Sequence, residues 1–278
     1  MPRHAMPVKK KKVSAKVFLL IILVLVGVMG FAVYRFVSES VQLSEEQKQF
    51  DDLRDLIVEE DNGNDDPTAG SDSPTDPTTG AVTETTKRRN YDKLFAMNED
   101  MRGWLSIEGT VIDYPVMKND SDNGEYYLHR DFYGDYSFAG CLFIGVNCDY
   151  DSNVFIIYGH NMNNGSMFGT LLDYADSSYA AAHRDINFDT KTEHRVYRVF
   201  AAFEGEIYPD DPKYDGYFKY YQSVGNFDED MYNYILNQYY SSSCIYTEDK
   251  PKYPDQIMIL STCYYDNVRF VVAAYRIK

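Results

Sequence analysis

Residues 17–34 contain no charged side chain, and Lys9, Lys10, Lys11, Lys12 and Lys16 stand before them. As an α-helix this run would reach about 27 Å, close to the ~30 Å hydrocarbon core of a bilayer. Phe36 and Val37 can lengthen it. The run limits the chain more than any other feature, because whatever folds after Arg35 is expected to be held at a membrane. With the lysines placed before the run, the N-terminus is expected in the cytoplasm and the rest outside. The run is longer than a usual signal-peptide core, and no small-x-small cleavage site follows it. An uncleaved anchor is therefore expected in place of a removed leader, and a buried core helix fits poorly with lysines at its mouth.

The rest of the chain divides by composition. Residues 1–16 read as a basic cytoplasmic tail and 17–37 as the transmembrane anchor. Residues 38–60 read as a juxtamembrane helix, with Phe50, Leu53, Leu56 and Ile57 at helical spacing. Residues 61–86 are rich in Asp, Pro, Thr, Ser and Gly, cannot bury apolar surface, and read as a flexible linker. Such a tether raises the effective concentration of partners held at the same membrane. Residues 87–278, about 190 in number, suffice for one folded domain. The formal net charge of −16 argues against nucleic-acid binding. An aromatic content of 15%, mostly tyrosine, suits a β-rich domain.

Strand-like runs cover 111–117, 140–146, 154–158, 195–204, 257–261 and 269–277. Helical patterns cover 90–102, ending at Gly103, a short stretch at 166–174, and 227–240 with Asp228, Glu229 and Asp230 in its first turn. Strands at this spacing suggest a mainly β domain, either a closed barrel or a sandwich.

Two apolar runs near the C-terminus carry the chemistry. Ile257-Met258-Ile259-Leu260-Ser261-Thr262 leads into Cys263, and after a short loop Arg269 opens Phe270-Val271-Val272. As neighbouring strands they place a thiol at the exit of one and a guanidinium at the entry of the next. Such a charge favours thiolate and can hold a developing oxyanion. Arg276, seven residues further on, falls on the opposite face of its strand. A base appears at the end of Val154-Phe155-Ile156-Ile157-Tyr158-Gly159-His160, where Gly159 is expected to allow a sharp exit. His129, His183 and His194 are further candidate bases without that context, and the last two read as surface positions.

Residues 119–125 are acidic beside Gly124, but their spacing does not fit a calcium loop, and a solvated turn is expected. Cys141, Cys148 and Cys244 show no metal-site spacing; they read as small buried hydrophobes or as partners in a disulfide.

Tyr158-Gly159-His160-Asn161-Met162, Leu260-Ser261-Thr262-Cys263 and Arg269-Phe270-Val271-Val272 resemble the three signature segments of sortases, cysteine transpeptidases of Gram-positive bacteria. The resemblance runs from Tyr91 to the C-terminus. It includes Gly103-Trp104-Leu105, Ile112-Asp113-Tyr114-Pro115-Val116, Tyr126-Tyr127-Leu128 and Gly165-Ser166-Met167-Phe168, a combination most similar to class B sortases.

The resemblance implies a sortase-like closed β-barrel with N-terminal helices and an inserted helix before the strand of the catalytic cysteine. It implies that Cys263 attacks the carbonyl after a threonine in the C-terminal sorting motif of a secreted protein, forming a thioester. His160 would act as acid and base, and Arg269 would position substrate and stabilise the oxyanion. Ser261, Thr262 and Asn161 are the expected substrate contacts. The acceptor would be an amine of the peptidoglycan cross-bridge or of lipid II, with no metal or organic cofactor. The expected location is the cell membrane, single-pass, with the catalytic domain outside. Polymerisation of pilins on a lysine acceptor is an alternative, as is a non-catalytic membrane-anchored binding module. A papain-like hydrolase is disfavoured because His160 precedes Cys263.

Overall fold

The computed structural model describes residues 15–60 and 88–278. The first fourteen residues of the expected tail and the expected linker at 61–86 lie outside the described residues.

One helix, α1 (Ala15–Arg54), carries the apolar run and continues without interruption into the acidic stretch behind it. No Gly or Pro follows Gly30 within it, and Glu45, Glu46, Gln47, Lys48 and Gln49 are good helix formers. The change from apolar to charged residues marks a change of surroundings, and the backbone does not break there. Among the described residues this helix, from Phe18 to Arg54, is the one long and apolar enough to cross a membrane. The chain falls into two compact units, Met1–Glu45 and Glu46–Lys278, so the last turns of α1 belong to the second.

In that second unit Phe50 and Leu53 are buried, and the Phe50 ring meets Tyr114 edge-on at 5.0 Å. Strand β1 (Val58–Glu60) pairs antiparallel with β2 (Arg88–Asn90). There follow α2 (Asp92–Met97), β3 (Met101–Ser106), β4 (Asp113–Met117), β5 (Leu142–Ile144) and β6 (Val154–Tyr158). Helix α3 (Ser177–Ala182), β7 (Asp185–Asp189), β8 (His194–Glu206), α4 (Glu229–Ser242), β9 (Ile257–Tyr265) and β10 (Val268–Arg276) complete the chain. Strands β3 to β10 close into a barrel in the order β10-β8-β7-β3-β4-β5-β6-β9. Closure leaves no free edge and surrounds a core that includes Phe155, Phe188 and Tyr197, all fully buried. Pairs β4–β5 and β6–β9 are parallel and the other barrel pairs antiparallel. The mainly β closed barrel expected from sequence is therefore present, with its inserted helix.

That inserted helix is α4. Asp228 caps it by accepting from the Met231 N–H at 3.0 Å. Tyr232, Ile235, Leu236 and Tyr239 recur at i, i+3, i+4 and i+7 and form its buried face. Tyr239 stacks on Phe203 of β8 at 5.4 Å.

Several boundaries differ from the sequence reading. The expected helix at 90–102 is helical only through α2, and Gly103 lies inside β3. A Cβ there would stand 2.6 Å from the Phe188 ring and 2.8 Å from the Asp189 carbonyl oxygen. Gly103 is thus the residue that lets β3 lie against β7, and it caps no helix. The short helix expected at 166–174 is a 3-10 turn, Leu171–Ala175, preceded by Met167 at φ 54°. Strand β7 was not anticipated, although Ile186 and Phe188 alternate inward with polar neighbours. Nor was α3, which Asp176 caps by accepting from Ser178 and Tyr179.

Gly103→Ala should cost about 1–3 kcal/mol, since ring and backbone must both give way. In the full chain held in detergent micelles this should lower the melting temperature by several degrees. An unchanged melting temperature would show that β3 and β7 tolerate a wider spacing.

Candidate active site

The parallel pair β6–β9 brings two loops out at one end of the barrel, with Tyr158 level with Ser261. Beyond that register, side chains and backbone join the two exits. The Gly159 N–H donates to the Ser261 carbonyl at 3.2 Å, and the Thr262 hydroxyl donates to the Gly159 carbonyl at 2.7 Å. The Asn161 amide donates to the Cys263 carbonyl at 2.9 Å. His160 is thereby fixed between two residues that are each tied to the strand of Cys263. Gly159 serves this packing: a Cβ would meet the Leu142 side chain at 2.4 Å and the Phe168 ring at 2.7 Å. Steric room, and not a sharp exit, explains the glycine.

Cys263 lies within β9 and not at its exit, because pairing with β10 continues to Tyr265. Asp266, at φ 41°, and Asn267 make the turn. Cys263 stands directly opposite Arg269 in the antiparallel register, so the two side chains share a face. Tyr264 is an extra residue opposite the Val268–Arg269 step, a bulge that bends the strand end beside the thiol. Arg269 is half-buried, and its guanidinium donates to the Asp266 carbonyl at 3.3 Å and the Val268 carbonyl at 3.2 Å. Arg276 sits at the other end of β10, donating to the Lys278 carbonyl at 2.8 Å and paired with Glu193 at 3.3 Å.

The His160 imidazole is half-buried, with Nε2 2.9 Å from the Leu128 carbonyl oxygen. A carbonyl only accepts, so Nε2 carries the hydrogen and Nδ1 is the nitrogen left to gain or lose a proton. Burial pushes the imidazole below its ordinary value. The Leu128 hydrogen bond and the Glu46 carboxylate pull the other way, and His129 adds to the lowering. His160 is accordingly mostly neutral at pH 7.

Of the remaining expected contacts, Ser261 is buried, and its hydroxyl lies 3.0 Å from the Tyr220 hydroxyl. Thr262 is also buried, and its hydroxyl is engaged by Gly159. This bond ties the exits of β6 and β9 together. Asn161 likewise uses its amide on backbone.

Tyr158 and Tyr220 join the site although they were not singled out from sequence. Burial raises both phenols, and the charge of Arg269 pulls each down. The Tyr220 ring fills the place a Cβ would take at Gly205, the β8 residue opposite Arg269. Tyr158 precedes Gly159-His160 and could have been read from that motif. Tyr220 lies in a tyrosine-rich stretch that offers no such signal.

His129 also belongs here: its ring centroid is 5.2 Å from that of His160. His183 and His194 do not. The first bonds the Glu108 carbonyl at 2.8 Å, and the second pairs with Asp189 at 2.5 Å.

All four cysteines are free thiols. Cys141 and Cys148 are buried, and burial raises both. Cys244 is exposed, contrary to the expectation of a third buried thiol, and donates to the Ala202 carbonyl at 3.1 Å. The acidic stretch at 119–125 includes a 3-10 turn, Ser121–Gly124, and just before it Lys118 pairs with Asp120 at 2.8 Å. Among the described residues no group of three or more His, Cys, Asp and Glu is arranged to hold a metal. A cavity of about 960 Å³ lined by Arg89, Ser106, Thr110, Asn187 and His194 contains none of the groups around Cys263.

An exposed thiol, a guanidinium on the same face and an oriented neutral imidazole form a set suited to nucleophilic attack on a carbonyl. No family model matches the chain. It is 30% identical over 247 residues to Sortase B of Listeria monocytogenes, covering 87% of each chain. Its structure is similar to that of a Staphylococcus aureus sortase B–substrate complex (TM-score 0.58, 28% identity, 67% of this chain and 84% of that one). It is also similar to sortase B of Clostridium perfringens (TM-score 0.58, 26% identity, 67% of this chain and 99% of that one).

The His160 ring should titrate below the ordinary histidine value of 6.5, as followed by histidine-selective NMR of the full chain. Its Nε2 should remain protonated in the neutral form. A midpoint at or above that value would contradict the burial seen here.

Proposed function

The chain belongs to the class B sortases and is a cysteine transpeptidase, and from that premise we propose a membrane-anchored, extracellular enzyme that cleaves a C-terminal sorting motif after threonine and transfers the protein to an amine of the peptidoglycan cross-bridge. The observation that carries this reading is the register Cys263↔Arg269 beside an imidazole whose Nε2 is already committed to Leu128.

In the proposed cycle the Cys263 sulfur attacks the threonine carbonyl carbon, and the carbonyl oxygen becomes an oxyanion. The Arg269 guanidinium turns from the carbonyls of its own hairpin turn to that oxyanion. His160, having taken the thiol proton at Nδ1, gives it to the departing amine as the C–N bond breaks, leaving a thioester. The acceptor amine then attacks the thioester, His160 removes its proton, and the new amide forms as the thiol is restored with that proton. Neutral His160 suits the second half, where a base is needed at once. Ser261 and Thr262 within the cysteine strand and Asn161 beside it are the proposed substrate contacts, Ser261 in concert with Tyr220. The secreted sorting-motif protein and the cross-bridge amine, free or on lipid II, are the proposed partners. The apolar part of α1 is the proposed anchor, with residues 1–16 inside the cell, 61–86 as tether and the barrel outside. The lysines that precede the apolar run support that orientation.

The test uses the full chain in detergent micelles with a library of threonine-containing sorting peptides, with and without cross-bridge amines, and products identified by mass spectrometry. Cleavage after threonine and a ligated product are expected, and Cys263→Ala should abolish both. Arg269→Ala should lower kcat by about 10²–10³, the usual loss for one oxyanion donor, and Arg269→Lys should recover part of it. Ligation only to a lysine side chain of a pilin would move the enzyme to polymerisation. No cleavage of any such peptide by folded, reduced protein would refute the reading.

A further inference from the structure

His160 is held by a backbone carbonyl, so whatever fixes that carbonyl fixes the imidazole. Leu128 lies in a 3-10 turn, Tyr126–His129, and the chain then loops back over it to β5. The Ser137 N–H donates to the His129 carbonyl at 3.1 Å, and the Cys141 N–H donates to the Tyr127 carbonyl at 3.0 Å. Gly140, at φ +59°, passes so close that a Cβ would lie 2.3 Å from the Leu128 oxygen. The returning strand of this loop therefore presses on the very atom that accepts from His160.

The return is itself gripped from α1. One Glu46 carboxylate oxygen accepts from the Phe138 N–H at 2.6 Å and the other from the Ala139 N–H at 3.0 Å. These two donors immediately precede Gly140. On the same helix face, Gln49 donates to Asp131 at 2.8 Å, and the other Asp131 oxygen accepts from the Tyr133 and Asp135 N–H groups, each at 2.9 Å. Phe50 and Leu53, buried one turn on, seat the helix. The contacts run without a gap from Glu46 through 138–140 to the Leu128 oxygen and His160 Nε2.

We propose that Glu46, supported by Gln49, is a positioning residue for catalysis: through the loop at 126–141 it sets the place of the Leu128 carbonyl and so the orientation and tautomer of His160. This deepens the transpeptidase reading and rests on it. Glu46 touches no reacting atom. The charged and titratable groups acting on His160 are the Glu46 carboxylate from α1 and His129 from the loop; Cys263 lies on β9, the parallel neighbour of the strand that leads into His160. Removing Glu46 therefore takes away the hydrogen bonds to Phe138 and Ala139 and a negative charge that favours the imidazolium.

The full chain in micelles is compared with Glu46→Gln, Glu46→Ala and Glu46→Asp. The glutamine keeps the shape but can accept only at one atom, so a donor then faces a donor. Expected are a kcat lowered by about tenfold or more with KM little changed, an acid limb of the pH–rate profile moved to lower pH, and partial rescue by aspartate. Nitrogen-15 spectra of His160, recorded also in a Cys263→Ala background, should show loss of the single Nε2–H tautomer. Because that readout needs no turnover, it stays decisive even where no transpeptidation is found. An unchanged tautomer and pH profile in folded variants would overturn the proposal. So would a fall in activity that tracks unfolding alone while the folded fraction keeps the wild-type tautomer.

Discussion

The parallel pairing of β6 with β9 is the constraint on which the rest of the site depends. Parallel neighbours leave the sheet at the same end, so the residues that follow Tyr158 and Ser261 emerge side by side. An antiparallel pairing of the same two segments would put His160 and Cys263 at opposite ends of the barrel. Parallel strands need a long crossover, and here it holds α3, β7, β8 and α4, of which β7 and β8 are themselves barrel strands. Closure then protects the register. A slip of one residue would move every β9 side chain to the opposite face of the sheet, turning Ser261 and Cys263 away from Arg269. No edge strand is free to relieve such a slip.

The hairpin β9–β10 adds the charge to this frame. Arg269 is opposite Cys263 on one side and Gly205 on the other, and the glycine leaves room for Tyr220 beneath the row. In the proposed mechanism the guanidinium must leave two backbone acceptors at 3.2 and 3.3 Å. Both are near the long end for hydrogen bonds and close to solvent, so little is lost when an oxyanion replaces them. His160 presents the complementary economy. Its tautomer is fixed by one carbonyl, and burial keeps the ring neutral.

The long apolar strands and the residues at their ends were readable in the sequence because burial on both faces writes a continuous run. β6, β9 and β10 are of that kind, and so His160, Cys263 and Arg269 stood out. Where tertiary packing overrides local pattern, the reading failed. Residues 90–102 carry helical spacing, yet Gly103 and Trp104 are claimed by the barrel wall against Phe188 and Asp189. β9 continues through Tyr264 and Tyr265, whose exposed side chains hide the strand although β10 still pairs with it. The bond from the Thr262 hydroxyl to the Gly159 carbonyl is a tertiary contact that no spacing encodes. Glu46 and Tyr220 were invisible for a common reason: each reaches the site through an intermediary or across a long loop, and single-sequence spacing encodes neither; His129 was a candidate base, but its sequence context did not distinguish it from His183 and His194.

The linkage of α1 to the barrel changes what counts as the catalytic unit. Composition alone places its start after the linker, near residue 87, whereas the compact unit begins at Glu46. Burying Phe50 and Leu53 is worth about 1.5–3 kcal/mol each. β1 supplies the partner of β2, and Arg54 donates to the Asp113 carbonyl at 3.1 Å, a residue whose carboxylate also takes Trp104 and Arg89. A piece beginning at Lys87 would lose all of these, uncover Tyr114, and release the loop that carries the Leu128 carbonyl. The turns of α1 from Glu46 onward are thus both a packing element of the barrel and, through Glu46, part of what orients its histidine. The helix that begins with the apolar run ends by holding the loop that carries the Leu128 carbonyl.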